Sequence, residues 1–105
     1  MPFKISWLEP AKRDLDRLYN FYLDKSVSAA VRIHNGIIDE SEKLANHPEI
    51  APIDPSIQKP SKTYRALVVS KGRFKLIYFV EDKTVVIARV WGCRQNTAKL
   101  ETSLE

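Results

Sequence analysis

The spacing of apolar residues changes along the chain and predicts its elements in order. Apolar and polar residues alternate over residues 3–7, which predicts a strand. Apolar residues then recur every three or four positions over residues 8–22, and this predicts an amphipathic helix with Pro10 in its first turn. The same spacing returns over about residues 29–46 after a break of roughly four residues. The first half is therefore predicted to be a strand followed by an antiparallel helical hairpin.

The second half of the chain reads as a loop and three strands. Four prolines lie between His47 and Lys62, which predicts an ordered surface loop. Three strand-like runs joined by turns follow, and the last one stops at Gly92–Asn96: Tyr64–Val69, Phe74–Val80 and Thr84–Trp91. The middle run is apolar on both faces, so we expect a central strand that is covered on both sides.

The cover of that sheet is predicted to be unequal. The helical hairpin covers one face. The other face includes Ile77 and Phe79, and the residues after Asn96 are too few and too polar to form more than a short turn or tail. We therefore expect a segment of a partner protein to complete this face, because exposed apolar patches of that kind mark interfaces.

Two small residues carry local predictions. Ser26 or Ser28 is placed to cap the second helix. Gly36 falls inside that helix, where glycine costs about 1 kcal/mol relative to alanine. It either permits close contact with the first helix or is a neutral accident.

Length and composition indicate one globular domain over residues 1–105, with 97–105 as a polar tail. The net charge of +4 and the pI near 9.3 suit a polyanionic partner, either nucleic acid or an acidic protein. No apolar run approaches the ~20 residues of a membrane span, and no signal-peptide core is present, so we expect a cytoplasmic protein without membrane contact.

Metal and cofactor chemistry is not indicated. Cys93 is the single cysteine, which excludes an internal disulfide and a zinc site built from cysteines. His34 and His47 lie far apart in sequence, and the acidic residues fall mostly on predicted helix surfaces. The sequence therefore predicts no metal, no cofactor and no pair of catalytic carboxylates.

The candidate chemistry is basic and aromatic. Arg65, Lys75 and Arg94 come from neighbouring strands or strand ends, so a meander can gather them into one positive patch. Such a patch could hold a phosphate backbone or stabilise the charge that develops during phosphodiester cleavage. The alternative is that these residues are solvated edge positions or ion-pair partners of helix acids.

The order of these elements resembles the RelE/ParE superfamily of toxins from type II toxin–antitoxin systems, in particular the plasmid-stabilisation ParE-like members. The resemblance covers Trp7 to Asn96, and four short segments carry it: Ala11-Lys-Arg-Asp-Leu15, Tyr64-Arg65, Phe74-Lys-Leu-Ile-Tyr78 and Val90-Trp-Gly-Cys-Arg94. It implies an α+β fold in which an N-terminal strand and a helical hairpin pack on a twisted antiparallel sheet.

The resemblance implies two different activities and one kind of partner. RelE-like members are messenger-RNA endonucleases that act in the ribosome, whereas ParE-like members bind and poison DNA gyrase. Both kinds are silenced by a cognate antitoxin, which implies a toxin–antitoxin hetero-oligomer. An antitoxin would also suit the sheet face that is predicted to lack a cover.

The site residues follow from the same resemblance. Arg65, Lys75 and Arg94 would be catalytic only in a ribonuclease, and the surface for a target or antitoxin would also include Arg73, Ile77, Phe79 and Trp91. RelE-like nucleases have a tyrosine near the C-terminus, but residues 96–105 contain no aromatic residue. We therefore expect a ParE-like toxin that binds a large target such as gyrase. The alternatives are a RelE-like endoribonuclease, free or ribosome-dependent, and a non-toxic scaffold that only binds the antitoxin.

Overall fold

The computed structural model of the chain describes residues 2–95 and 97–104. The elements run in the order β1 (Lys4–Trp7), α1 (Glu9–Leu23), α2 (Val27–Glu42), β2 (Arg65–Val69), β3 (Phe74–Glu81), β4 (Thr84–Gly92) and α3 (Thr97–Ser103). Short 3₁₀ turns occupy Lys43–Ala45 and Ser70–Gly72. The first six elements lie close to their predicted positions, whereas the predicted end of the meander at Asn96 lies outside the described residues.

The four strands form one mixed sheet in the order β1-β4-β3-β2. β3 pairs antiparallel with both β2 and β4, as expected for a meander. β1 pairs parallel with β4, from Lys4 opposite Thr84 to Trp7 opposite Ile87. The α+β class is confirmed. The N-terminal strand β1 is an edge strand of the sheet, and it pairs parallel with its neighbour β4.

The helical hairpin packs on one face of the sheet, as predicted. Ser26 caps α2, because its hydroxyl accepts a hydrogen bond from the Ala29 N–H at 3.2 Å. The first core joins both helices to this face and includes Leu15, Ile37 and Tyr78. Among the described residues, no helix combines the length and the apolar character needed to cross a bilayer.

The second face of the sheet is covered by the chain itself, so the prediction of an uncovered face is wrong. Residues 97–103 form α3 instead of a polar tail, and Leu100 and Leu104 are 0% and 7% exposed. Together with Ile57 from the proline-rich loop they bury Ile77 and other side chains of this face, and these residues form the second core. The backbone N–H of Gln58 donates to the Glu101 carboxylate at 2.6 Å, which ties the loop to α3.

A buried carboxylate joins α1 to the sheet edge. β1 ends opposite Ile87, so the next part of β4 pairs with β3 on one side and has no strand on the other. Asp14 accepts the backbone N–H of Val90 at 3.0 Å there, and it also binds the Arg89 guanidinium at 2.7 Å. Asp14 is 8% exposed, so the expectation that acidic residues lie on helix surfaces fails at this position.

Gly36 does not serve helix contact. A Cβ added to this glycine would have no heavy atom within 4 Å, so the α1–α2 packing does not require its small size. The close-contact hypothesis for Gly36 is therefore wrong.

Candidate functional site

Arg65 is engaged within the protein. It opens β2, and its guanidinium donates to the Ala51 carbonyl at 2.8 Å. The same guanidinium lies 3.9 Å from the Glu49 carboxylate, and its side chain is 19% exposed. Arg65 thus fastens the proline-rich loop to the edge of the sheet.

Lys75 is engaged as well, by a different acid. Its ammonium lies 3.3 Å from the Asp54 carboxylate, and both side chains are largely buried. Burial by itself would raise the pKa of Asp54, but hydrogen bonds from the Ser56 N–H and hydroxyl, with the Lys75 ammonium, hold that pKa below its ordinary value. The alternative interpretation of these basic residues as ion-pair partners therefore holds for Lys75, with a loop acid in place of a helix acid.

Arg65 and Lys75 do not form one patch. Arg65 lies opposite Tyr78 in the β2–β3 register, so it shares that residue's face of the sheet. Lys75 precedes Tyr78 by three residues on β3, and an odd spacing along a strand places side chains on opposite faces. The predicted cluster of Arg65, Lys75 and Arg94 on one surface is therefore wrong in its geometry.

The three apolar residues of the predicted binding surface belong to the second core. Ile77 is fully buried, and Phe79 and Trp91 are nearly so. The Tyr64 ring meets the Phe79 ring edge-on at 5.5 Å, and the Arg89 guanidinium lies 5.0 Å from the centre of the Trp91 ring. These side chains hold α3 and the loop on the sheet, and they do not form an open surface in this structure.

Arg73 and Arg94 lie together at the end of the sheet where β3 begins and β4 ends. Both line a groove of about 460 Å³, which we call the sheet-end groove, and Lys71 is part of the same lining. The Arg73 carbonyl accepts the Cys93 N–H at 3.0 Å, which fixes the turn before β3 against the segment after β4. Two of the predicted site residues are thus brought together, with Lys71 as a third cation.

The turn before β3 has an unusual backbone. Ser70 and Lys71 have φ of 53° and 55°, the left-handed region that costs roughly 1–2 kcal/mol for a non-glycine residue. The Glu40 carboxylate on α2 accepts the Ser70 N–H at 3.0 Å and holds the turn in place. Strained backbone of this kind clusters at functional sites.

A second groove lies between α2 and this turn. It measures about 370 Å³, and we call it the α2–turn groove; its lining residues are Arg32, Ile33, Gly36, Glu40, Ser70, Lys71 and Arg73. Lys71 and Arg73 line both grooves, so the two adjoin each other. The sequence analysis did not identify Arg32 and Lys71 as site residues. Arg32 lies on α2 and Lys71 in the turn before β3, and nothing in the sequence pattern indicates that these two elements line one groove.

An apolar groove of about 630 Å³ adjoins the sheet-end groove on its other side, along α1. Tyr22, Phe74, Gly92 and Gln95 line both, and the Phe21 ring at the α1 groove is 57% exposed. The Gln95 side chain accepts the Gly92 N–H at 2.6 Å, and a Cβ on Gly92 would lie 2.7 Å from that oxygen. A side chain at position 92 would therefore have to displace the Gln95 amide from its hydrogen bond.

Metal-binding geometry is not found in the described part of the chain, where no three His, Cys, Asp or Glu side chains are grouped to hold an ion. What the grooves offer chemically is positive charge beside aromatic rings on a fixed backbone. This arrangement suits the binding of an anion or a macromolecule.

Comparison with known proteins gives a family. The model of the ParE toxin of type II toxin–antitoxin systems (parDE) matches residues 5–97. Toxin RelE3 of Caulobacter vibrioides is 35% identical over 82 residues, which is 76% of this chain and 83% of that protein.

Solved structures share the fold. The chromosomal ParDE toxin–antitoxin system of P. aeruginosa matches with a TM-score of 0.72 at 21% identity, over 86% of this chain and 95% of that one. The RelBE2 toxin–antitoxin complex of Mycobacterium tuberculosis matches with a TM-score of 0.51 at 22% identity, over 88% of this chain and 99% of that one.

Proposed function

The chain belongs to the ParE toxin family of type II toxin–antitoxin systems, and from this premise we propose that it is a ParE-like toxin. It acts by binding a large target such as DNA gyrase, and a cognate antitoxin neutralises it by occupying its surface. The observation that carries this proposal is the separation of Arg65 and Lys75 onto opposite faces of the sheet, each engaged by its own loop acid.

That separation argues against phosphodiester cleavage. A nuclease of this kind needs several cations fixed around one phosphate, so that they stabilise the charge that develops in the transition state. A phosphate bound at Lys75 would be on the wrong face for Arg65. Arg65 would first have to leave the Ala51 carbonyl and the Glu49 carboxylate, and Lys75 would have to leave Asp54. Arg73 and Arg94 remain accessible in the sheet-end groove, where they suit contact with a protein or nucleic-acid surface.

The antitoxin is proposed from the two solved relatives, which are both toxin–antitoxin systems. The apolar groove along α1, with the exposed Phe21 ring, gives an antitoxin segment a place to bury apolar side chains. The adjoining Arg73 and Arg94 favour an acidic segment.

A RelE-like endoribonuclease is the second candidate. Its support is the 35% identity to a curated toxin of that name and the presence of Arg73 and Arg94 in one groove. In that activity the two guanidinium groups would bind the scissile phosphate, and messages would be cut in cells that express the chain.

The test is induction of the chain alone in bacteria and then with the protein encoded beside it. A toxin arrests growth, and an antitoxin relieves the arrest. Filamentous cells with intact messages, and inhibition of purified gyrase by the purified chain, are the results expected here. Cut messages detected by primer extension would establish the ribonuclease, and normal growth at high expression would leave only a non-toxic scaffold.

A charge-reversal variant locates the surface. Arg73→Glu with Arg94→Glu should abolish growth arrest, because both residues line the sheet-end groove. The matched control is Lys12→Glu with Arg13→Glu on the exposed side of α1, which removes the same charge away from both basic grooves and should leave the arrest intact. Equal effects of the two pairs would refute the groove as the target surface.

A further inference from the structure

Two backbone N–H groups on the free edge of β4 are bonded to side chains in place of a neighbouring strand. Beyond Ile87, where β1 stops, the Val90 N–H donates to the Asp14 carboxylate at 3.0 Å, and the Gly92 N–H donates to the Gln95 side-chain oxygen at 2.6 Å. The backbone N–H and C=O of one strand residue point to the same side, so the Val90 carbonyl also points to this edge. Such an edge is a template for pairing with another chain.

The two side chains that cap this edge differ in how firmly they are held. Asp14 is buried, and the Arg89 guanidinium donates to it twice, so it is a fixed part of the fold. Gln95 is exposed, and its side chain can turn to water without leaving a buried group behind. The cap on Gly92 is therefore replaceable, whereas the cap on Val90 is not.

The same edge forms one wall of the apolar groove along α1. Val90, Gly92 and Gln95 line this groove opposite Leu18 and the exposed Phe21 ring. An extended segment in the groove would set its backbone against β4 and every second side chain towards α1. A helical segment would leave the groups of the edge unused, because the backbone groups of a helix are bonded internally.

We propose that the groove along α1 binds a partner segment as an extended strand parallel to β4, in the place that β1 leaves, and that this strand displaces Gln95 from the Gly92 N–H. One residue of the segment then donates to the Val90 carbonyl and accepts from the Gly92 N–H, which is the bonding of a parallel pair. The occupant is the antitoxin, so this site rests on the proposed function. Both solved relatives are toxin–antitoxin systems.

The charge of the groove favours an acidic residue in that segment. Asp14 is the acid in the described lining, and the guanidinium groups of Arg89 and Arg17 lie 2.7 and 3.6 Å from its carboxylate. Two cations against one carboxylate leave the groove positive, and Arg17 is 73% exposed at its side chain. A segment that alternates apolar residues with an acidic one matches both the wall and the charge.

The first experiment measures the dissociation constant between the purified chain and the protein encoded beside it, by isothermal titration calorimetry. Gln95→Ala should bind about fivefold more tightly than the wild-type chain, because the segment no longer has to replace an internal hydrogen bond. Gln58→Ala is the matched control, since it removes an exposed glutamine side chain away from the groove and should leave the dissociation constant unchanged.

The second measurement follows hydrogen exchange of single amides by NMR. In free Gln95→Ala the Gly92 N–H has lost its acceptor and should exchange several-fold faster than in the wild-type chain. In the complex, the carbonyl of the bound segment should restore its protection. The Val90 amide keeps its bond to Asp14 in both states and is the internal reference.

Four outcomes would overturn the proposal. Unchanged or weaker binding by Gln95→Ala would show that Gln95 is not displaced. A Gly92 amide that exchanges freely in a tight complex would show that the segment does not pair with β4, and the toxin–antitoxin function would still stand. Self-association of Gln95→Ala in sedimentation, with protection of Gly92 in the absence of the neighbouring protein, would identify a second copy as the occupant. Failure of the neighbouring protein to bind any form of the chain would remove the antitoxin and this site together.

Discussion

Asp14 accepts hydrogen bonds from one side chain and one backbone group of β4, beyond the point where β1 stops pairing with that strand. The Arg89 guanidinium donates to it twice, at 2.7 and 2.8 Å, and the Val90 N–H donates at 3.0 Å. The hydrogen bond to Asp14 raises the pKa of Arg89 and outweighs the opposing effect of burial. The Asp14 carboxylate thus pairs with the largely buried Arg89 cation and accepts the Val90 N–H. Without Asp14, both groups would be buried without a partner, which would lower the stability of the folded protein.

Asp14→Asn should therefore destabilise the protein by about 3 kcal/mol, the lower end of the cost of breaking a buried ion pair from one side. The substitution keeps the size of the side chain but leaves Arg89 without its counter-charge. Urea unfolding at neutral pH measures the effect. Asp16→Asn, on the exposed face of the same helix, should change stability by less than about 0.5 kcal/mol. A similar loss of unfolding free energy in both variants would show that the contact between Asp14 and Arg89 does not stabilise the protein.

At the scale of residues, a local signal for Asp14 was present but was not used. Asp14 sits three residues after Ala11 and four before Leu18, which places it on the buried side of α1, whereas the sequence analysis expected the acidic residues on helix surfaces. The partners of Arg65 and Lys75 were not visible, because Glu49 and Asp54 lie in an irregular loop. These contacts depend on the conformation of the loop, which cannot be predicted from a repeating pattern of apolar and polar residues.

At the scale of elements, α3 is the helix that the local sequence pattern did not predict. Its one sequence signal is the pair Leu100 and Leu104 at a spacing of four, in an otherwise polar segment. A helix of seven residues is marginal by itself in water, so it depends on the sheet that it covers. The strands of the meander, by contrast, are runs of five to nine residues rich in strand-forming side chains and bounded by turns, and they were predictable from this pattern.

Leu100→Ala should detach this helix from the sheet. Loss of a fully buried leucine costs about 3 kcal/mol, and Leu100 is the residue of α3 that belongs to the second core, with Leu104 just after the helix. Trp91 would then become solvated, so its fluorescence should shift to longer wavelength together with a lower urea midpoint. Lys99→Ala, at an exposed position of the same helix, should alter neither signal. An unshifted emission in Leu100→Ala would mean that the loop at Ile57 covers Trp91 without α3.

At the scale of the whole molecule, the sheet is closed by residues that are far apart in sequence. β1 pairs with β4 across some eighty positions, and the hairpin, the loop and two strands supply the crossover that parallel pairing requires. Local patterns predicted each strand but not this pairing, and the expected fold came from the family resemblance. The two cores lie on opposite faces of the one sheet, so loss of either exposes the strands that the other packs on.

The loss of stability at acidic pH should be due in part to protonation of Asp54. Its pKa in the folded protein lies below the ordinary value of 3.8, so the unfolded chain binds more protons between these two values. Its contribution is therefore complete above about pH 5 and is lost as the pH falls through the folded pKa. Asp54→Asn should lower the urea midpoint at neutral pH and make its fall below pH ~4 shallower. A parallel fall in both proteins would place the acid sensitivity elsewhere.

The loss of stability at alkaline pH should follow from Tyr78, which lies on β3 with its side chain in the first core. Burial raises its pKa above the ordinary 10.0, so the folded protein keeps a proton that the unfolded chain releases. The stabilisation is complete below about pH 10 and is lost as the pH rises through the folded pKa. Tyr78→Phe should cost about 1 kcal/mol at neutral pH, since the hydroxyl donates to the Pro48 carbonyl at 2.8 Å, yet lose less stability between about pH 9 and about pH 11. Urea unfolding of Tyr78→Phe and of the wild-type chain across this pH range measures the difference, and an equal alkaline loss in the two proteins would contradict this role of Tyr78.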